Sequence, residues 1–151
     1  MIAALDSNIM IYAEGLNDDI RRDAARSHLL ALGPDRVVLP LQAIGEMALA
    51  HIRLAKRNAI FAAERALDWR QRYAVQETTE AVFDDALEVM RRHGLRIWDS
   101  IILSAAQQAG ASVLLSEDMH NGFQWRDVTI VNPLVLDPMS LLEFMSLSTR
   151  H

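Results

Sequence analysis

Four carboxylates stand where a carboxylate is costly. Asp6 ends the apolar run Met1–Leu5, and Asp118 closes the tripeptide Ser116-Glu117-Asp118 behind Val113-Leu114-Leu115. Glu46 and Asp99 lie near the starts of helical segments in apolar company, within Gln42-Ala-Ile-Gly-Glu46-Met-Ala-Leu and Arg96-Ile-Trp-Asp99-Ser-Ile-Ile-Leu. A carboxylate among apolar neighbours is expensive unless it is paired or binds a cation. Taken singly, each has a simpler account: Asp6 and Asp99 as helix caps, Asp118 as a turn residue, Glu46 as a solvated side chain. Taken together, two strand-end acids and two helix-entry acids converge if the two strands are neighbours in a sheet. With no Cys and no pair of His at ligand spacing, convergent oxygens suit a hard cation, Mg²⁺ or Mn²⁺, rather than zinc.

The elements that must position these acids can be read from the pattern. Met1–Leu5 reads as a buried strand, and Asp6-Ser7-Asn8 opens a short helix. A helix over Asp18–Leu32, with Ile20, Ala24, Ala25, Leu29 and Leu32 at helical spacing, stops at Gly33-Pro34, and Val37–Pro40 has strand character. From Leu41 to about Tyr73 two helices are expected to meet near Arg57-Asn58. Thr79 can cap a helix through Arg92, with Val82, Phe83, Leu87 and Met90 inward and Gly94 as its left-handed terminator. Asp99–Ala109 is one more helix, Ala111–Ser116 and Val128–Val131 are two more buried strands, and Ser140–Met145 is a short terminal helix. Short apolar strands separated by helices imply an α/β, three-layer fold: a short, mainly parallel sheet flanked by helices. Acids at the carboxyl ends of such strands stand where ligands bind.

Composition bounds the function. A chain of 151 residues that is 51% hydrophobic and 23% charged fits a single domain, and six Gly with four Pro leave little material for linkers. The absence of Cys excludes a disulfide framework, Asp6 arrives too early for a secretory leader, and no apolar run is long enough to span a bilayer. A cytoplasmic protein without membrane association is the expectation. The net charge of −5 opposes nucleic acid, yet residues 51–72 carry six cations against two anions, and all but one of the chain's 15 cations are Arg. Arg53, Lys56 and Arg57 are therefore candidates for phosphate contacts, a solvated helix face being the simpler reading. His120, beside Asp118, could assist catalysis or be a plain loop residue. Trp69 and Trp125 could stack bases, although packing is the simpler role for both, as it is for Trp98 among Ile97, Ile101 and Ile102.

These segments also carry a family resemblance. Leu5-Asp6-Ser7-Asn8-Ile-Met-Ile-Tyr12, then Glu46, then Trp98-Asp99-Ser-Ile-Ile-Leu-Ser-Ala-Ala106 followed by Gly110-Ala, then Leu115-Ser116-Glu117-Asp118-Met-His-Asn-Gly122 resemble the ordered signature of the PIN-domain nucleases. The Ser-Glu-Asp-Met segment and Val131-Asn132-Pro133 are similar to VapC-type ribonuclease toxins. The likeness spans about residues 2–133 of a single PIN-like domain covering 1–151, with 134–151 as a C-terminal tail or helix. It implies that Asp6, Glu46, Asp99 and Asp118 are metal-binding, catalytic acids and that Asn8, Ser116 and Glu117 support them. A Mg²⁺- or Mn²⁺-dependent endoribonuclease is implied, with RNA as substrate, a small cognate antitoxin as partner and a homodimer as assembly. The alternative is a catalytically weak PIN-fold scaffold that binds RNA or antitoxin. The aspartyl-nucleophile phosphatases, which also begin with a strand-end Asp, require a second Asp two residues on, where this chain has Asn8.

Overall fold

Three runs of three or four apolar residues, each with both faces covered, make the centre of the molecule: β1 (Ala3–Leu5), β2 (Val37–Pro40) and β4 (Val113–Leu115). Strands buried on both faces need no polar alternation, which is why they read as continuous apolar runs. In the computed structural model, which describes residues 1–148, β6 (Val128–Val131) extends this parallel set, and β3 (Ala74–Gln76) and β5 (Gln124–Trp125) form the edges. The strand order is β3-β2-β1-β4-β6-β5, with only β5 antiparallel. Around the sheet lie α1 (Ser7–Ala13), α2 (Asp19–Leu32), α3 (Leu41–Arg53), α4 (Ala59–Arg72), α5 (Glu80–His93), α6 (Ile97–Gln108) and α7 (Pro138–Ser148). The result is the expected three-layer α/β arrangement. No helix among the described residues is long and apolar enough to cross a membrane.

Local chemistry sets the boundaries. Asp18, Asn58 and Thr79 accept hydrogen bonds from the backbone N–H three residues on, at 2.8, 2.9 and 3.1 Å, and so open α2, α4 and α5. Gly94 ends α5 in the left-handed region at φ 69°, a conformation that costs glycine little.

Four expectations from the pattern are corrected. On α5, Val82, Ala86 and Val89 are buried, while Phe83 and Leu87 are exposed. Small side chains let α5 pack closely on Ile101 and Ala105 of α6, so the helix turns its bulky residues outward. On α2, Ile20 is exposed, and the buried positions are Ala25, His28 and Leu32. His28 is buried because both ring nitrogens lie 2.8 Å from backbone carbonyls, of Ala24 and of Leu136, which ties α2 to the segment before α7. Finally, β3 and β5 were not expected at all. At three and two residues they are too short to carry a periodicity. The terminal helix runs longer than Ser140–Met145, beginning at Pro138.

Candidate active site

The site follows from strand register. Leu5 of β1 pairs with Leu115 of β4, and the Asp6 N–H donates to the Leu115 carbonyl at 2.9 Å. Asp6 and Ser116 therefore leave the sheet side by side. β2 lies on one side of β1 and β4 on the other, so the strand order reverses there, and the crevice at such a point is where open α/β sheets bind ligands. A cleft of about 230 Å³ opens above it, lined by Asp6, Ser7, Glu46, Arg96, Trp98, Asp99 and Asp118. All four acids singled out in the sequence border one cavity.

Asp6 is buried and caps α1, its Oδ1 accepting from the Ser7 N–H at 2.7 Å. Its Oδ2 accepts from the Ser116 hydroxyl at 2.7 Å and from the Asn8 amide at 3.1 Å. The same Asn8 nitrogen lies 3.2 Å from Asp118 Oδ2, and the Asn8 oxygen accepts from the Glu117 N–H at 3.2 Å. Ser116 Oγ accepts in turn from the Met119 N–H at 3.1 Å. One amide and one hydroxyl thus fasten the loop after β4 to the start of α1 and hold Asp118 beside Asp6. Burial pushes the Asp6 carboxyl up to about 6; the Ser116 and Ser7 hydrogen bonds oppose the rise, and the charges of Asp99 and Glu46 add to it.

The remaining acids differ in their surroundings. Asp99 is the third residue of α6, not its cap, and both Nε and Nη2 of Arg96 donate to its Oδ2 at 3.2 Å. Glu46, half-buried in α3, accepts from Gln42 at 3.4 Å. Neither α3 nor α6 opens with a side-chain cap, their preceding residues being Pro40 and Arg96. Glu117 does not enter the cleft. Its carboxylate accepts from Tyr12 Oη at 2.9 Å and from Arg21 Nε at 3.0 Å. Burial and then the Glu117 carboxylate push the Tyr12 phenol well above its ordinary value, which keeps it a proton donor. Glu117 acts here as an anchor between the loop and α2.

Other candidates fall elsewhere. Arg53 is the last residue of α3, with Lys56 and Arg57 just beyond it; all three lie at least seven residues past Glu46 and do not line the cleft, and Arg57 stacks on Phe61 at 4.5 Å. Trp69 and Trp125 are buried packing residues. Trp98 is a correction: it is 55% exposed and lines the acidic cleft, because α6 turns its second residue away from the core that takes Ile101 and Ile102. His120 is exposed beside a second cavity that adjoins the first. The sequence reading did not single out Arg96, Tyr12 or Arg21. Arg96, three residues before Asp99, was visible as a helix-start ion pair. Arg21 meets Glu117 across 96 residues and left no local signal.

Among the described residues, no three acidic or histidine side chains are drawn together tightly enough to form a ready metal site. Asp99 is turned to Arg96, Glu46 to Gln42 and Asp118 to Asn8. The donor set nonetheless fits a hard divalent cation: the oxygens lining the cleft are those of four carboxylates and the Ser7 hydroxyl, and the charges of Asp99 and Glu46 still act on Asp6.

Fold and site together define an α/β domain with an acidic cleft where the strand order reverses. The PIN domain model matches residues 3–123, and the chain belongs to that family. No curated protein sequence gives a match. Among solved structures, Mycobacterium tuberculosis VapC20, described as a sarcin-ricin loop cleaving toxin, is 20% identical with a TM-score of 0.62, covering 74% of this chain and 86% of that one. A toxin-antitoxin complex from Klebsiella pneumoniae is 17% identical with a TM-score of 0.63, covering 87% of this chain and 97% of that one. Pyrobaculum aerophilum PAE2754 is 17% identical with a TM-score of 0.57, covering 97% and 96%. At these identities the likeness is one of fold.

Proposed function

We propose that this PIN domain is a metal-dependent endoribonuclease acting as the toxin of a VapBC-type pair. The observation that carries the reading is the buried Asp6 carboxylate at the β1–β4 crossover, pushed up to about 6 in a cleft that also collects Glu46, Asp99 and Asp118. Asp6, Asp99 and Asp118 would hold one Mg²⁺ or Mn²⁺ directly or through water, and Glu46 would help hold a second or orient the attacking water. Bound there, the cation supplies Lewis acidity, making nearby water a nucleophile near neutral pH and offsetting charge on the phosphoryl oxygens. Asn8 and Ser116 keep Asp6 and Asp118 side by side, while Glu117 fixes the loop from behind. Arg96 is placed to leave Asp99 for a phosphate oxygen. Water adds to phosphorus, the bond to the 3′ oxygen breaks, and that oxygen takes a proton, leaving a 5′-phosphate and a 3′-hydroxyl.

The partner implied is a small antitoxin that places a basic side chain among the acids, where it replaces the cation's charge; the toxin itself would act as a cytoplasmic homodimer. Arg53, Lys56 and Arg57 would serve as distant RNA phosphate contacts. The Arg96–Asp99 pair favours one second reading, a weakly active scaffold that binds RNA or antitoxin. The test is cleavage of RNA by the purified protein in Mg²⁺ or Mn²⁺. Cleavage that chelator stops and that Asp6→Asn abolishes supports the enzyme; full activity in chelator, or in that variant, refutes it.

A further inference from the structure

Asp118 lies outside strand and helix, and its own side chain holds it loosely. Among the described residues its carboxylate has one hydrogen bond, from an Asn8 nitrogen at 3.2 Å that also lies 3.1 Å from Asp6 and 3.3 Å from Ser116. An amide nitrogen with two protons cannot give each of three oxygens its own, so Asp118 needs a second restraint. The residue before it supplies one. The Glu117 N–H donates to Asn8 Oδ1 at 3.2 Å, and its carboxylate accepts from Tyr12 Oη at 2.9 Å and from Arg21 Nε, 3.0 and 3.2 Å from the two oxygens. Arg21 is fixed in turn at the start of α2. Its Nη1 donates to Asp18, which also accepts from the Arg21 N–H at 2.8 Å, and its guanidinium carbon lies 5.8 Å from the centre of the Tyr12 ring. Neither Tyr12, Arg21 nor Glu117 lines the acidic cleft.

We propose that Arg21, with Tyr12, is a positioning residue for the cation site: by gripping the Glu117 carboxylate against α1 and α2, it fixes the loop on which the next residue, Asp118, presents its oxygens. The proposal rests on the cation site put forward above and adds the group that aligns it. Arg21 has two effects of opposite sign. As a positive charge behind the acids it weakens their attraction for a cation. As a clamp it strengthens binding, because a loop already in place has less freedom to lose. The Arg21 side chain is 36% exposed, so water and salt screen the first effect and leave it small. Aligning a metal ligand from behind is worth about ten- to hundredfold in affinity. The clamp therefore prevails, and taking a cation away from the back of this acidic site makes it bind Mn²⁺ less well.

The test titrates Mn²⁺ into the chelator-treated protein by calorimetry, with thermal unfolding in chelator as a separate measure of the fold. Arg21→Gln is expected to weaken Mn²⁺ binding about tenfold. Arg22→Gln is the control: it removes the same charge from the same turn of α2, but Arg22 pairs with Asp19 and Asp23 and leaves the loop alone. It should bind within about twofold of wild type, or slightly more tightly. Glu117→Ala loses as much as Arg21→Gln, and the two together lose no more than either alone, because both free the same loop. Glu117→Gln, whose amide oxygen still accepts from Tyr12 and Arg21, recovers most of the affinity. An Arg21→Gln protein that binds Mn²⁺ like Arg22→Gln overturns the proposal and leaves the cation site standing, as do additive losses. A melting temperature that falls in chelator at unchanged Mn²⁺ affinity overturns it too, since the clamp then serves only the fold. A wild type that takes up no Mn²⁺ overturns the clamp and the cation site together. The expected pattern in a protein that never cuts RNA supports the clamp while the nuclease reading fails.

Discussion

Two carboxylates largely shielded from water, Glu14 and Asp6, sit on the same helix-bearing frame and are solved in opposite ways. Between α1, α3 and α4, Glu14 receives both nitrogens of the Arg65 fork, at 2.6 and 2.9 Å, and Nε2 of His51 at 2.9 Å. Burial works to raise its carboxyl, but the Arg65 and His51 hydrogen bonds prevail and hold it below the ordinary value. At the β1–β4 crossover Asp6 has neutral donors, Ser116, Asn8 and the Ser7 N–H, while the charges facing it are those of Asp99 and Glu46, and burial drives its carboxyl up. An acid answered by cations is a structural joint. An acid answered by more acids marks a place where the fold stores repulsion, and perturbed groups of that kind cluster at functional sites.

The sharpest way to break the comparison is activity. Asp6→Asn or Asp99→Asn should lower RNA cleavage by several orders of magnitude, whereas Glu14→Gln should leave the rate per folded molecule within about threefold. Gel assays at matched folded concentration decide it; equal losses would erase the distinction. Stability should divide the other way. Arg65→Ala strands Glu14 and should cost about 1–3 kcal/mol in denaturant unfolding, less than for a fully enclosed pair because Arg65 keeps partial contact with water.

The pH dependence sharpens the contrast further. Asp6 titrates near 6 when folded against 3.8 in an open chain, so its contribution to stability is present below 3.8 and lost as pH rises through 6. Two units correspond to about 3 kcal/mol. In chelator, therefore, the stability of Asp6→Asn relative to wild type should improve between pH 4 and pH 7.5. Glu14 has the opposite sign: its contribution is present above the open-chain value of 4.5 and is lost as pH falls below it. Glu14→Gln should thus be most damaging at neutral pH. Parallel pH profiles for the two variants would contradict the assignment. The smallest effect is expected from replacing Arg53, Lys56 and Arg57 together by Ala, which should weaken RNA binding a few-fold and flatten its salt dependence without changing the catalytic rate.

Much of the frame was legible because its signals are local. Fully buried strands leave unbroken apolar runs, and Thr79, Gly94 and Gly110 punctuate helices within a few residues. Convergence of the acids was legible only through topology, since adjacent β1 and β4 bring Asp6 and Asp118 together. What the sequence hid was phase and reach. Ala86 and Val89 outrank Phe83 and Leu87 for the interior of α5 because close helix packing prefers small residues, and a hydrophobic pattern weights the large ones. Trp98 reads as core by its neighbours, yet faces the cleft. The Glu117–Tyr12–Arg21 anchor joins three distant segments, and only the folded chain puts them in contact.

The claim that the crossover acids form a cation site is tested most directly by thermal unfolding in Mn²⁺. Wild type and Glu14→Gln should each gain melting temperature progressively as Mn²⁺ is titrated from chelator, by mass action on the folded state, while Asp99→Asn gains little. Equal Mn²⁺ shifts in wild type and Asp99→Asn would show that these acids are not a cation site.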